Sequence, residues 1–143
     1  MVRLPLPSSV ARAKALAHPA RLRLLSMLAS GELCVCQMTA VLGLSASTVS
    51  THLSVLKRAG LVSERKEAKF VIYALANDPE ARGWVDLATA SLGGDPAVSA
   101  DRDLVARMRL VPVDVFAASG MDLALLPALG PAPRRTKSGR GRS

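Results

Sequence analysis

Two cysteines separated by one residue are the strongest chemical signal in this sequence. Cys34 and Cys36 are the only cysteines among the 143 residues, and the apolar pattern predicts a helix that begins beside them. The free N–H groups and the positive dipole end of a helix lower the pKa of a nearby thiol and favour the thiolate. Thiolates are soft ligands that select soft ions. The pair is therefore a candidate metal-binding site.

The spacing of the two cysteines leaves three interpretations open. Residues i and i+2 lie about 200° apart on a regular helix, so the two sulfurs can hold one ion only if the first helical turn unwinds. In that case, ligand binding distorts the helix. A second interpretation is a redox pair, whose strained disulfide is labile. A third is that both thiols are small buried hydrophobic groups, as free cysteines often are.

The elements that position the cysteines follow from the spacing of the apolar residues. Val49, Leu53 and Leu56 repeat at helical spacing, and Gly43 is suited to end the preceding helix. Two helices joined by such a tight turn indicate a helix-turn-helix. Two strands with a short turn at 66–68 then predict a β-hairpin, a wing. The predicted helices are 9–17, 20–28, 35–42, 46–59, 79–92 and 99–110, and the predicted strands are 61–65 and 69–75.

The helix-turn-helix carries side chains suited to DNA. Short polar side chains on the exposed face of a recognition helix read base edges in the major groove; here these are Ser47, Thr48, Ser50, Thr51 and His52. Basic side chains at the helix end and on the wing bind phosphates; these are Lys57, Arg58, Arg65, Lys66 and Lys69. The alternatives are that the hydroxyls only cap a solvated helix and that His52 is structural, at the junction of helix and wing.

Composition narrows the class of protein. Nineteen basic and eleven acidic residues give a net charge of +8, which favours a polyanionic partner such as nucleic acid. The sequence has no HExxH, P-loop, GxSxG or GxGxxG motif, so we do not expect an enzyme. It also has no signal-peptide core and no run of eighteen apolar residues. We therefore expect a cytoplasmic protein with reduced thiols and no membrane partner.

Three segments resemble the ArsR/SmtB family of metal-responsive winged-helix repressors, and its arsenic-sensing branch in particular. They are ELCVC at 32–36, the pattern LSxSxVSxHLxxLKxAGLV at 44–62, and ERKEAKFVIYAL at 64–75. The resemblance runs from about Ala11 to Leu92. It implies a mainly α winged helix-turn-helix with a small β-hairpin, and a homodimer paired through its first and fifth helices.

The resemblance also implies a function. The dimer binds double-stranded operator DNA and represses an arsenic-resistance operon. It dissociates when trivalent arsenic (arsenite or methylarsenite) or antimonite binds the thiolates of Cys34 and Cys36, and no organic cofactor takes part. A thiol-redox or cadmium- or lead-responsive repressor of the same fold remains an alternative. So does a constitutive nucleic-acid-binding protein with inert cysteines.

Three departures from the family pattern bear on this function. Thr39 stands where well-known arsenic repressors have a third cysteine. The third bond of arsenic must then go to hydroxide, an external thiol, another residue or a carbon substituent, so inorganic and methylated arsenic both stay open. Thr51 replaces an Arg or His that relatives often carry. The fifth helix contains Glu80 and Asp86 but no His, so a zinc site of the related type is not expected.

The domain organisation follows from charge and composition. Residues 1–95 are predicted to form the winged helix-turn-helix DNA-binding and dimerisation domain. Residues 96–130 form a partly helical C-terminal extension, in which 111–130 show no assignable pattern. Residues 131–143 carry basic charges with almost nothing apolar, so we expect a disordered tail.

Overall fold

The computed structural model describes residues 6–130, in which the predicted elements appear in the predicted order. Among these residues, no single helix is long and apolar enough to cross a membrane. The disordered tail predicted for 131–143 lies outside the described part. The helices and strands are α1 Leu6–Leu16, α2 Pro19–Leu28, β1 Leu33–Cys34, α3 Val35–Leu42, α4 Ala46–Arg58, β2 Val62–Glu67, β3 Phe70–Leu75, α5 Pro79–Thr89, α6 Pro96–Met108 and α7 Val113–Ala118, followed by a 3-10 turn, Leu123–Leu125.

The helix-turn-helix is confirmed. The α3 and α4 axes are bent by 114° relative to each other, within the range typical of the motif. Gly43 ends α3 with a φ of 66°, the left-handed conformation for which glycine is suited. Ser45 caps α4 by accepting a hydrogen bond from the Thr48 N–H. Val49, Leu53 and Leu56 of α4 are completely buried, so the opposite face of α4 points outward.

The wing belongs to a three-stranded antiparallel sheet in the order β1-β3-β2. The third strand, β1, was not predicted, because two residues are too few to show a period. It places Leu33 opposite Tyr73 and Cys34 opposite Ile72. The hairpin turn is tighter than predicted, since β2 continues to Glu67 and Ala68 adopts a φ of 53°.

The C-terminal extension packs on the same core as the helix-turn-helix. Val105, Met108, Phe116 and Leu126 are all buried in the main hydrophobic cluster. The segment 111–130, which had no assignable pattern, forms α7 and the 3-10 turn. Arg107 holds its end by donating hydrogen bonds to the carbonyls of Leu126 and Pro127. The extension is therefore built into the fold.

A buried ion pair joins α6 to α2. The Arg23 guanidinium donates to both carboxylate oxygens of Asp101, at 2.7 and 2.8 Å. The Asp101 side chain is only 4% exposed, whereas that of Arg23 is 30% exposed. The hydrogen bond to Asp101 raises the pKa of Arg23, and burial opposes this increase. Bidentate geometry of this kind fixes orientation as well as distance.

Candidate thiol site and nucleic-acid interface

The two thiols meet at the junction of β1 and α3. Cys34 is the N-cap of α3, with extended backbone angles (φ −70°, ψ 148°). Its Sγ accepts hydrogen bonds from the Cys36 N–H at 3.4 Å and from the Cys36 thiol at 2.7 Å. The Cys34 N–H in turn donates to Gln37 Oε1 at 2.9 Å, which completes a capping box. The Cys34 sulfur is thus both a candidate ligand and the cap of α3.

The prediction that the sulfurs lie on opposite sides of a helical turn is wrong. Cys34 is extended rather than helical, so its side chain points back over the first turn and lies beside Cys36. No unwinding is needed to bring the sulfurs together. A Cys followed three residues later by Gln has the spacing of a capping box, with a thiol in the place of the usual hydroxyl. That spacing was the available sequence signal.

The hydrogen bond between the thiols shifts their two pKa values in opposite directions. The bond from Cys36, helped by backbone N–H groups and opposed by burial, lowers the pKa of Cys34 to about 6. The same contact, together with burial, raises the pKa of Cys36. The contact therefore favours the thiolate on Cys34 and keeps the proton on Cys36. Cys34 is 4% exposed and Cys36 is half-buried, so a ligand reaches the pair from the Cys36 side.

Arg109, at the end of α6, fixes the segment that leads into the thiol site. Its guanidinium donates hydrogen bonds of 3.1 Å to Ser30 Oγ and to the carbonyls of Gly31 and Glu32. Gly31 has a φ of 127°, and a Cβ there would lie 3.4 Å from the Arg109 guanidinium. Sequence reasoning missed this contact because Arg109 lies 77 to 79 residues after its three partners in the chain.

We expect Arg109→Ala to loosen this segment. Exposed hydrogen bonds contribute modestly, so the free energy of unfolding should fall by about 1 kcal/mol. Amide hydrogen exchange at Glu32 and Leu33 should become faster. Arg102→Ala is the matched control, because Arg102 is exposed on the same helix. Equal exchange rates in the two variants would show that Arg109 does not hold the segment.

The outward face of α4 is available to DNA. Of the ten residues predicted to contact DNA, all but His52 are exposed. Ser45 Oγ, already engaged with the Thr48 N–H, also donates to Thr48 Oγ1 at 2.8 Å. Thr51 Oγ1 donates to the Ser47 carbonyl at 2.9 Å. In the free protein these hydroxyls form hydrogen bonds within α4 and its N-cap, and their oxygens can still accept hydrogen bonds from base edges.

His52 faces the start of α2 rather than the wing. Its ring lies against the ring of His18, with centroids 4.4 Å apart, and Arg21 Nη1 is 3.2 Å from its Nδ1. His18 caps α2 by accepting a hydrogen bond from the Ala20 N–H. Burial, followed by the positive charges of His18 and Arg21, lowers the pKa of His52. His52 is therefore neutral at pH 7.

The His52 environment predicts a loss of stability in mild acid. Because the pKa of His52 is lower in the folded state, the unfolded chain binds more protons below its own pKa, near 6.5. The free energy of unfolding should be unaffected by this group above about pH 7 and should fall as the pH drops below about 6.5. Urea unfolding at pH 7.5 and 5.5 measures the effect. His52→Asn should reduce the difference between the two pH values, and an undiminished difference would assign it to other groups.

The predicted phosphate-binding residues fall into two groups. Lys57 forms an ion pair with Glu64, and Arg65 pairs with Glu32 at 2.6 Å and with Glu67 at 2.7 Å. The other three, Arg58, Lys66 and Lys69, form no ion pair with any residue between 6 and 130, and the Lys69 ammonium lies 5.5 Å from the Phe70 ring centroid. Sequence reasoning located the basic residues and missed the carboxylates that hold two of them.

Comparisons with known proteins identify the family. A family model described as "Bacterial regulatory protein, arsR family" matches residues 18–64. The biofilm growth-associated repressor of Agrobacterium fabrum (strain C58) is 45% identical over 86 residues, which cover 55% of this chain and 74% of that protein. The chain belongs to the arsR family of bacterial regulatory proteins. As an arsR-family member with a winged helix-turn-helix, it is a DNA-binding transcriptional regulator.

Two further similarities are to an arsenic resistance regulator and to a solved homodimeric domain. The arsenic resistance transcriptional regulator ArsR1 of Pseudomonas putida (strain KT2440) is 42% identical over 74 residues, which cover 51% of this arsR-family chain and 56% of that protein. The solved homodimeric winged helix-turn-helix DNA-binding domain of a possible ArsR-family regulator from Mycobacterium bovis is 32% identical. It has a TM-score of 0.55 and covers 60% of this chain and 80% of that one.

Proposed function

We propose that this arsR-family protein is an arsenic-responsive repressor that binds operator DNA as a homodimer. Trivalent arsenic or antimony binds the Cys34 and Cys36 sulfurs and releases the dimer from DNA. The observation that carries the proposal is the preformed thiol pair, with sulfurs 2.7 Å apart at the start of the helix that supports α4. The similarity to an arsenic resistance regulator over 74 residues supports the same ligand.

The capping role of Cys34 links the ligand to DNA. An ion that bonds to both sulfurs, at about 2.3 Å each, takes the place of the Cys36 thiol proton. The hydrogen bond from the Cys36 thiol to Cys34 Sγ is then lost. Cys34 Sγ then moves relative to the Cys36 N–H that it caps. The start of α3 shifts, and α4 shifts with it, because Met38 of α3 and Leu53 of α4 share one core.

The size of this coupling can be bounded. Loss of an N-cap costs about 1 kcal/mol, and allosteric coupling typically amounts to about 1–3 kcal/mol. A ligand that binds the shifted state better moves the population away from the DNA-binding form. By reciprocity, operator DNA weakens ligand binding by the same factor.

Exposed apolar side chains on α1 and α5, the two helices predicted to pair, support the homodimer. Leu6 and Val10 of α1 are 77% and 42% exposed, and Leu87 of α5 is 79% exposed. Large apolar side chains exposed next to one another mark interaction surfaces, and Leu6 and Val10 lie one turn apart on α1. A second copy would bury them by a two-fold contact, as is usual in dimers of identical chains.

The test is fluorescence anisotropy of a labelled fragment of the DNA upstream of the gene. We expect salt-dependent binding that is lost on addition of arsenite or antimonite and restored by a dithiol chelator. Parallel titrations with cadmium, lead and hydrogen peroxide separate arsenic sensing from the other soft-ion and redox responses. An intact complex in saturating arsenite, together with release by one of those agents, would overturn the arsenic assignment.

A further inference from the structure

A cavity with basic walls lies between the first turn of α1 and the end of α4. Its volume is about 400 Å³. Its polar side chains are the hydroxyl of Ser8 and the guanidiniums of Arg12 and Arg58, and among residues 6–130 no carboxylate lines it. All three side chains can donate hydrogen bonds, and the two guanidiniums carry a positive charge. The lining is therefore suited to an anion.

Arg12 contributes a buried donor whose hydrogen bonds are incomplete. Its side chain is 8% exposed, and its Nη1 is buried without a hydrogen-bond partner in the described part of the chain. Its Nε donates to the Ala59 carbonyl at 3.0 Å. Gly60 leaves room for the guanidinium at the cavity wall, since a Cβ there would lie 3.2 Å from Arg12 Nη2. A buried N–H without an acceptor costs free energy, so an acceptor that enters the cavity and reaches Nη1 is stabilising.

The charges around Arg12 leave the site positive. Asp78 Oδ2 lies 3.6 Å from Arg12 Nη2, but the Asp78 side chain is 52% exposed and its oxygens also cap α5. Arg58 is exposed and forms no ion pair with residues 6–130. Ser8 lies in the first turn of α1, where backbone N–H groups lack partners within the helix and the dipole end is positive. Two guanidiniums and a helix N-terminus thus outweigh one carboxylate.

We infer that this cavity binds a phosphate-class oxyanion, held by Ser8, Arg12 and Arg58 at the junction of α1 and α4. Donors from two helices suit an ion with several acceptor oxygens, and guanidiniums and helix N-termini are the groups that proteins use for phosphate. The bound ion joins α1 to the end of the recognition helix. Two sources supply this chemistry, a backbone phosphate of the bound duplex and a free phosphate ion. The site is separate from the thiol pair and does not depend on the arsenic response.

Thermal unfolding of the full-length protein tests binding of inorganic phosphate. In about 20 mM potassium phosphate we expect the melting temperature to be about 3 °C or more above its value in potassium chloride of the same ionic strength and pH. Ser8→Asp places a carboxylate in the cavity and should abolish this rise. The variant should fold, because aspartate is favourable in the first turn of a helix. Ser9→Asp is the matched control and should keep the rise, because Ser9 lies in the same turn and does not line the cavity.

Salt titrations of DNA binding distinguish the two sources. If the cavity holds a backbone phosphate, Ser8→Asp should weaken binding to upstream and unrelated DNA about equally. It should also reduce the slope of log K against log salt concentration by about 1, relative to Ser9→Asp. If the cavity holds a free ion, the two variants bind DNA alike, and the melting temperature in phosphate alone separates them.

Two results would overturn the inference. The first is that Ser8→Asp and Ser9→Asp respond equally to phosphate and also have the same salt slope on DNA. The second concerns Arg12→Leu, which replaces the guanidinium by an apolar side chain that favours helix. If this variant is folded by circular dichroism and its melting temperature still rises in phosphate as in the wild type, Arg12 does not hold the ion.

Discussion

Cys34→Ser is expected to abolish the arsenical response while leaving operator binding intact. Loss of one sulfur converts two-point attachment to one-point attachment, and intramolecular closure of the second bond raises affinity by about a hundredfold or more. Serine is among the best N-cap residues, so its hydroxyl can accept the Cys36 N–H in place of sulfur. Titration of the operator complex with arsenite measures the effect.

Two further substitutions complete this test. Cys36→Ser should lose the response equally, because both sulfurs are needed. Cys34→Ala should lose the response and also about 1 kcal/mol of stability, since alanine cannot cap α3. If Cys34→Ser still releases DNA at the wild-type arsenical concentration, the ligand does not bind this thiol pair.

Arg23→Ala is expected to be among the most destabilising single substitutions in the α2–α6 contact. It leaves the Asp101 carboxylate, 4% exposed, without its bidentate partner. Removal of one member of a buried ion pair costs about 3–5 kcal/mol. Asp101→Ala should cost less, because the Arg23 side chain is 30% exposed and can turn toward water. Urea unfolding at pH 7 measures both values.

The double variant Arg23→Leu/Asp101→Leu provides the control. Replacement of both charges by apolar groups removes the unpaired charge, so it should be more stable than Arg23→Ala. A cost below about 1 kcal/mol for Arg23→Ala would mean that the pair contributes little and that apolar packing alone holds the extension.

The helices and the wing could be predicted from the sequence because their signals are local. The repeat of Val49, Leu53 and Leu56 fixed the buried face of α4, and Gly43 marked the end of α3. Both are properties of neighbouring residues. β1 could not be predicted, since a two-residue strand exists only through its pairing with β3. The fold of 111–130 depends on Phe116 and Leu126, which reach a core built mostly by earlier residues.

The residues of the candidate thiol site were predicted from the sequence, but the contact between their sulfurs was not. Cys34 and Cys36 stand out by residue type, but whether their sulfurs meet depends on the backbone angles of one residue. The pairing of β1 with β3 holds the backbone of Cys34 extended. The spacing of the two cysteines alone could not predict these backbone angles. Arg109 was missed for a similar reason, because its partners are distant in sequence and lie in an irregular segment.

The carboxylates on the wing have a consequence for how the protein selects DNA. Arg65 is shared between Glu32 and Glu67, and Lys57 pairs with Glu64. When the protein binds a duplex, Lys57 and Arg65 must exchange their carboxylate partners for phosphates. Because an existing ion pair is lost for each new one, the gain in binding free energy per contact is small. A protein with nineteen basic residues then adheres less to arbitrary DNA than their number suggests. Residence on any site depends accordingly on how well α4 matches the bases beneath it.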